Sequence, residues 1–224
     1  MKCHVLANCG LLLRLPDASI AGDAPNGLHT LFDPFPEAEQ ERMAAGEAPY
    51  EHLKGFLFTH RHSDHYDKKR LRAVLERRPE LTAFSPSGAT PENGELTIAP
   101  FRIRYASIPH SGSEFSEVYH RVVLIEAAGK TVYVTGDADW SPDRHLAVLG
   151  DCRPDLAVWN SNVFVHEESR GLLSIAAKNL IVHLPLHSED ALGVGRKCGS
   201  VRAKIGSEYP NVIFADHDGL VIEI

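Results

Sequence analysis

Short apolar runs separated by turn-forming residues set the rhythm of this chain. Runs at 10–15, 19–22, 55–59, 81–85, 96–99, 101–108, 121–126, 131–135, 156–160 and 179–182 have strand length and strand composition. Gly129-Lys130 reads as the turn of a hairpin between two of them. A helical period appears at 66–78, where Leu71, Val74 and Leu75 fall at i, i+3 and i+4. Residues 36–46, rich in Glu, Ala, Met and Gln, read as a surface helix or loop. Residues 167–178 and 188–207 read as helices, the second weakened by Gly193, Gly195 and Gly199. Two further strands close the chain within 209–224. No internal repeat interrupts this order, and the pattern alone predicts a mixed α and β fold.

The most distinctive of these runs leads straight into a cluster of polar side chains. After Gly55-Phe56-Leu57-Phe58 comes Thr59-His60-Arg61-His62-Ser63-Asp64-His65, three imidazoles and a carboxylate within six positions. Neutral imidazole is the commonest protein ligand for zinc-like ions. The H-x-H spacing sends His60 and His62 to one side of an extended backbone. Asp64 and His65 then face a second point one turn further on. The same arrangement, a buried strand followed by a ligand-type residue, recurs at His110, at Gly136-Asp137 and at His183. Strand ends are where layered α/β folds build their sites. Two positions stay open on this reading. His120 competes with His110, and His187, four residues past His183, competes with it.

Composition narrows the picture. A chain of 224 residues, 43% hydrophobic and 24% charged, reads as one globular domain spanning 1–224. Thirteen histidines suit a metal protein. A net charge of −7 lacks the basic footprint of a nucleic-acid binder, so the expected partner is a small molecule, with a homo-oligomer left open. No run approaches a membrane span and no signal-peptide core opens the chain, which points to the cytoplasm. Cys3, Cys9, Cys152 and Cys198 show no C-x-x-C pairing and are expected reduced and structural. The cations of 66–78 read as a solvated helix face.

The T-H-x-H-x-D-H stretch at 59–65, followed in order by His110, Gly136-Asp137 and His183, resembles the metallo-β-lactamase superfamily of metallohydrolases over nearly the whole chain. Residues 209–224 resemble the closing strands of the branch that includes transfer-RNA 3′-processing ribonucleases and small cyclic phosphodiesterases. The resemblance implies a four-layered αββα sandwich. It implies a first metal ion on His60, His62 and His110, a second on Asp64, His65 and His183, and Asp137 bridging them. Two divalent ions are expected, zinc first, with manganese and iron also suited to mixed His and carboxylate ligands. Such a centre activates a bridging hydroxide. Asp64 would also handle its proton, and His187 would be a proton donor or substrate contact.

The expected reaction is therefore metal-dependent hydrolysis of a small phosphodiester, with lactone or thioester hydrolysis, or iron-dependent oxidation on the same fold, as alternatives. Two departures matter. Leu184, Pro185, Leu186 and His187 stand where the ribonucleases carry a Ser and a phosphate-gripping Arg. Arg61 and Ser63 fill the space where flavin-linked di-iron relatives prefer a Glu.

Overall fold

Alternation within single strands decides the layering. The computed structural model describes every residue except Thr30, Ser188 and Asp218. Its elements run β1 (Lys2–Val5), β2 (Leu11–Arg14), β3 (Ser19–Gly22), α1 (Glu37–Ala45), β4 (Leu53–Leu57), α2 (Lys68–Arg77), β5 (Thr82–Phe84), β6 (Asn93–Ile98) and β7 (Phe101–Ala106). They continue with β8 (Val122–Ala127), β9 (Lys130–Val134), α3 (Pro142–Leu149), β10 (Leu156–Asn160), α4 (Asn162–Val165), β11 (Lys178–Val182), α5 (Val194–Ile205), β12 (Val212–Phe214) and β13 (Val221–Glu223). On β2, Leu11 and Leu13 enter one apolar cluster and Leu12 another. On β10, Leu156 and Val158 face one way while Ala157 and Trp159 face the other. Strands buried on both faces sit inside a stack of layers rather than on its surface.

Three apolar interfaces separate the resulting four layers. The central one joins the two sheets through Leu11, Leu13, Ile20 and Leu57 against Ile103, Val123, Val132, Val158 and Leu180. On one outer face Leu12, Ala21, Phe56 and Phe58 meet Met43 and Ala44 of α1 and Leu71 and Val74 of α2. On the other, Tyr133, Trp159 and Ile181 meet Leu149, Phe164 and Cys198 from the helical side. This is the αββα sandwich expected from the resemblance.

Strand direction places the site. One sheet has the order β13-β1-β2-β3-β4-β5 and the other β12-β11-β10-β9-β8-β7-β6. In the first, β3 and β4 are parallel. In the second, β9, β10 and β11 are parallel, and β7 shares their direction because it is antiparallel to β8, itself antiparallel to β9. Their C-terminal ends therefore gather along one rim of the sandwich. A backbone bond from Arg121 N–H to the Thr59 carbonyl, 2.8 Å long, ties the two sheets there.

Several elements depart from expectation. Residues 36–46 do form a helix, closed by Gly46 in the left-handed region (φ 69°), but Met43 is fully buried, so it is a covering layer and not a surface appendage. Residues 167–178 are not one helix: 3₁₀ turns span Glu167–Ser174, and Lys178 already begins β11. The expected helix at 188–207 starts only at Val194, where the Asp190 carboxylate accepts from the Gly195 and Arg196 N–H groups. Ser188 lies outside the described residues, as does Asp218 of the final turn. The hairpin turns on Ala128 and Gly129, both at positive φ, one residue earlier than expected. The strand β1 and the helix α3 fall outside the expected elements, although Ser141, Pro142 and Gly150 mark the ends of α3. No helix among the described residues is long and apolar enough to cross a membrane.

α3 carries a buried polar contact with a thermodynamic consequence. His145 Nδ1 accepts from the Tyr133 hydroxyl at 2.8 Å, and its Nε2–H donates to the Asp139 carbonyl at 2.8 Å. Burial lowers its pKa from 6.5 to about 4. The unfolded chain thus takes up this proton before the folded chain does. Stability from the neutral ring is complete above pH 6.5 and is lost as the pH falls from 6.5 towards 4, about 2 kcal/mol by pH 5. Urea unfolding at pH 7 and pH 5 should show His145→Gln losing less stability than the parent by about that amount. Equal losses would contradict this account.

Candidate metal centre

The polar cluster after β4 turns sharply. Phe58 still bonds through its N–H to the Phe84 carbonyl, Thr59 begins a bend, and His60 is fully buried. The N–H groups of His65 and Tyr66 both donate to the His62 carbonyl, at 3.0 and 2.8 Å. That turn separates His60 and His62 from Asp64 and His65, as their spacing predicts. The strand ends of the second sheet complete the rim. His110 follows β7 and forms an isolated bridge with Ala138. Asp137 follows β9 through Gly136, whose φ is +52° and whose added Cβ would lie 2.4 Å from Thr59 Oγ1. Glycine is required there for both reasons. His183 ends β11 in the left-handed region at φ 65°.

Among the described residues the expected ligands meet in two clusters, and a third group joins the buried Cys9 to His65 and His183. His60, His62, His110 and Asp137 offer ligand atoms within 4.8 Å of one another, and so do Asp64, His65, Asp137 and His183. All the expected ligands belong to one or the other, and Asp137 belongs to both. Asp137 Oδ2 lies 3.5 Å from His110 Nε2, 3.9 Å from His60 Nε2 and 3.3 Å from His65 Nε2. His183 Nε2 lies 3.1 Å from Asp64 Oδ2 and 3.5 Å from Asp137 Oδ1.

A second ring of contacts fixes which nitrogen His60, His65 and His110 present. Asp23, just past β3, accepts from the Thr59 N–H, the Thr59 hydroxyl and His65 Nδ1–H at 2.8, 2.8 and 3.0 Å. Having given its proton to Asp23, Thr59 Oγ1 accepts from His60 Nδ1–H at 3.1 Å. His110 Nδ1–H donates to the Ser111 carbonyl at 2.6 Å. The inner nitrogens of His60 and His110 are therefore bare acceptors, and both are buried with no hydrogen-bond partner in the structure. Asn160 Nδ2 holds Asp137 Oδ1 at 2.7 Å, and Asn26 Nδ2 holds the Asp64 carbonyl at 2.7 Å.

The electrostatics agree with this arrangement. Burial, reinforced by the neighbouring imidazoles, pushes His60 well below the ordinary range, so it is a neutral ring with a lone pair to offer. Burial alone would raise Asp64, but the His183 hydrogen bond and the adjacent imidazoles hold it at about 2. Burial likewise opposes ionisation of Asp137, yet His183 and His65 keep it well below the usual carboxylate range. Two ionised carboxylates beside the neutral ring of His60, with unpartnered buried nitrogens aimed inward, fit divalent cations.

Other candidates are placed elsewhere. His120 is buried and its Nδ1–H donates to the Ile108 carbonyl at 2.9 Å; its ring sits 5.1 Å from that of His60, outside both clusters. Because β8 runs opposite to its neighbours, its start lies at the rim, which brings His120 close without bringing it in. His187 is exposed, donates its backbone N–H to Asp33, and lines an adjoining cavity of about 450 Å³ with Leu6, Phe35 and Tyr50. His29 lines the cleft over the clusters. Cys3 is fully buried and belongs to neither cluster. The sequence reading missed Asp23, Asn26 and Asn160. Asp23 carries the same signature that flagged the others, a carboxylate directly after a buried strand, but its surroundings read as turn.

The cleft has a volume of about 540 Å³. Its floor is the two clusters, and its walls include Phe32, Phe115, Trp140, Leu192 and Asn162.

No protein-family model matches the sequence, and no curated protein matches it either. Solved structures do match. A possible metal-dependent hydrolase from Veillonella parvula aligns with a TM-score of 0.67 at 16% identity, over 100% of this chain and 99% of that one. The metallo-β-lactamase-fold protein YhfI from Bacillus subtilis gives 0.66 at 18% identity, over 100% and 98%. CmlA, a diiron β-hydroxylase from Streptomyces venezuelae, gives 0.60 at 10% identity, over 100% of this chain and 54% of that one. The likeness does not single out the ribonuclease and cyclic phosphodiesterase branch. With two mixed sheets face to face between helices, matched along its whole length by such structures, this chain has the metallo-β-lactamase fold.

Proposed function

We propose that this chain is a metal-dependent hydrolase with a dinuclear centre. The observation that carries the reading is the pair of His and carboxylate clusters sharing Asp137, with ring orientations fixed from behind. His60, His62 and His110 would hold the first ion, Asp64, His65 and His183 the second, and Asp137 would serve both. When bound, two such ions supply Lewis acidity and bring the ionisation of water to near-neutral pH. Zinc fits the His-rich first set, and the mixed second set also suits manganese or iron.

The chain's own residues then orient and exclude. Asp23, in part through Thr59, and the Ser111 carbonyl lock His60, His65 and His110 in the tautomer that turns Nε2 inward. Asn160 holds Asp137 against rotation. Asp64 lines the cleft and is the carboxylate placed to take a proton from attacking water. His187, which lines the other cavity, is left out of this proposal.

Phosphodiester and acyl substrates both suit a centre of this kind, and the choice between them rests on the cleft walls. The shared fold with a diiron hydroxylase keeps an iron-dependent oxidation as the second reading. Metal analysis of protein purified without added metal separates the two: zinc or manganese supports hydrolysis, redox-active iron supports oxidation.

Calorimetric titration of the metal-stripped protein with zinc should find about two ions per chain. His62→Ala should remove the first site and most activity, and His183→Ala the second site. His187→Ala should keep both; if it loses an ion while His183→Ala does not, the final ligand is misassigned. Asp23→Asn should weaken zinc binding by roughly 10–100-fold, because an amide turned towards His65 or Thr59 presents a donor where an acceptor is needed. Unchanged affinity in Asp23→Asn would remove Asp23 from the account.

A further inference from the structure

The cleft walls say more about the substrate than the metal clusters do. Each cluster is flanked by its own aromatic ring. Phe32 packs on His183 with ring centroids 3.9 Å apart. Phe115 packs on His110 and His62, at 4.6 and 5.1 Å. Trp140 forms a third wall and is itself backed by the His166 ring, stacked at 4.8 Å and 11°. At the mouth, Leu192 is 67% exposed and Phe115 37% exposed, side chains that a purely polar substrate would leave in water.

Charge points the same way. No Lys or Arg lines the cleft among the described residues, and its one rim charge is acidic, Glu114. Protein sites for phosphate groups rely on Arg, Lys or a run of backbone N–H groups. Among the described residues no such cation faces this floor. Asp23, Asp64 and Asp137 already answer most of the charge that two divalent ions would bring. The uncharged polar groups on the wall, Asn162 and Ser161, suit a carbonyl or an ether oxygen.

We infer that, if the chain is the metallohydrolase proposed above, its substrate is an uncharged carboxylic ester or lactone bearing an aromatic or branched aliphatic group, with Phe32, Phe115 and Trp140 determining specificity. Water adds to the acyl carbon, the acyl C–O bond breaks, and the proton of water passes to the departing alkoxide, giving an acid and an alcohol. No oxidant or further reactant is needed. The apolar group lies between the rings, and the scissile bond is held over Asp137. This places the small phosphodiester, the first expectation from sequence, behind its acyl alternative.

The test has a catalytic arm and a binding arm, both on the zinc-loaded protein. In the first, kcat/KM is compared for an uncharged aryl ester, an aryl lactone and an aryl phosphodiester. The ester or lactone should exceed the diester by 100-fold or more. Phe115→Ala and Trp140→Ala should each lower the ester value at least 10-fold, mainly through KM, with metal content unchanged. In the second arm, Trp140 is the reporter. It is half-buried at the cleft, whereas Trp159 is fully buried and bonded to Asn179 Oδ1 at 2.8 Å. Titration with an uncharged aryl lactam should give a saturable fluorescence change that Trp140→Phe abolishes, and diphenyl phosphate should bind at least 10-fold more weakly. A diester turned over faster than the ester, tighter binding of the anion, or no binding of the lactam would each overturn the inference while leaving the metallohydrolase reading standing. Lactam binding in the expected manner without hydrolysis of any substrate would uphold this cleft and sink that reading.

Discussion

One buried carboxylate organises the rim on which everything else depends. Asp23 is 1% exposed and receives three hydrogen bonds, two from Thr59 and one from His65. Through the Thr59 hydroxyl it also sets the proton on His60. One side chain thus fixes a ring from each of the two clusters and anchors the backbone at the end of β4. Breaking a buried charged contact of this kind typically costs about 3–5 kcal/mol, since the partner is left without compensation. Asp23 holds this position in the left-handed region, at φ 47°, while its own N–H donates to the Leu57 carbonyl at 2.9 Å. Asp is one of the few residues that tolerates that conformation.

The fold delivers these groups through strand direction. β3 and β4 end at the rim from one sheet; β7, β9, β10 and β11 end there from the other. The central apolar interface holds the two sheets in register, so imidazoles far apart in the chain approach without mobile loops to carry them. His65 Nε2 and His183 Nε2 stand 3.2 Å apart across that interface. A pair of buried nitrogens so close is uncomfortable unless a proton or a cation lies between them. His65 records this tension. Burial would lower it, yet Cys9, Asp137 and Asp23 hold it well above the ordinary imidazole range. A place that attracts a proton so strongly attracts a metal ion for the same reason.

Much of this was legible in the sequence, and the reasons are local. A ligand-type residue directly after a β-branched or aromatic run identified His60, His110, Asp137 and His183, because burial of the run fixes where its end must lie. The spacing within 59–65 separated two pairs of side chains because the turn at His62 needs only adjacent residues. Asp23 escaped because Ala24, Pro25, Asn26 and Gly27 make its surroundings read as turn, although Ser19–Gly22 is a strand. The choice between His110 and His120 depended on the direction of β8, a property of pairing rather than of sequence. The helix α3 escaped, despite Ser141 and Pro142 at its start, because its buried face rests on His145 and Leu149, and no hydropathy pattern announces a buried histidine. The cleft walls were invisible too, since Phe32, Phe115 and Trp140 come from separate loops.

The central claim is that two ions sit at this rim and share Asp137. Anomalous X-ray diffraction from crystals of the zinc-loaded protein measures this directly. The account predicts two peaks, one bonded to Nε2 of His60 and His110 and to His62, the other bonded to Asp64, His65 and His183, with Asp137 between them. A single peak, or peaks that leave the buried nitrogens of His60 and His110 uncoordinated, would contradict it.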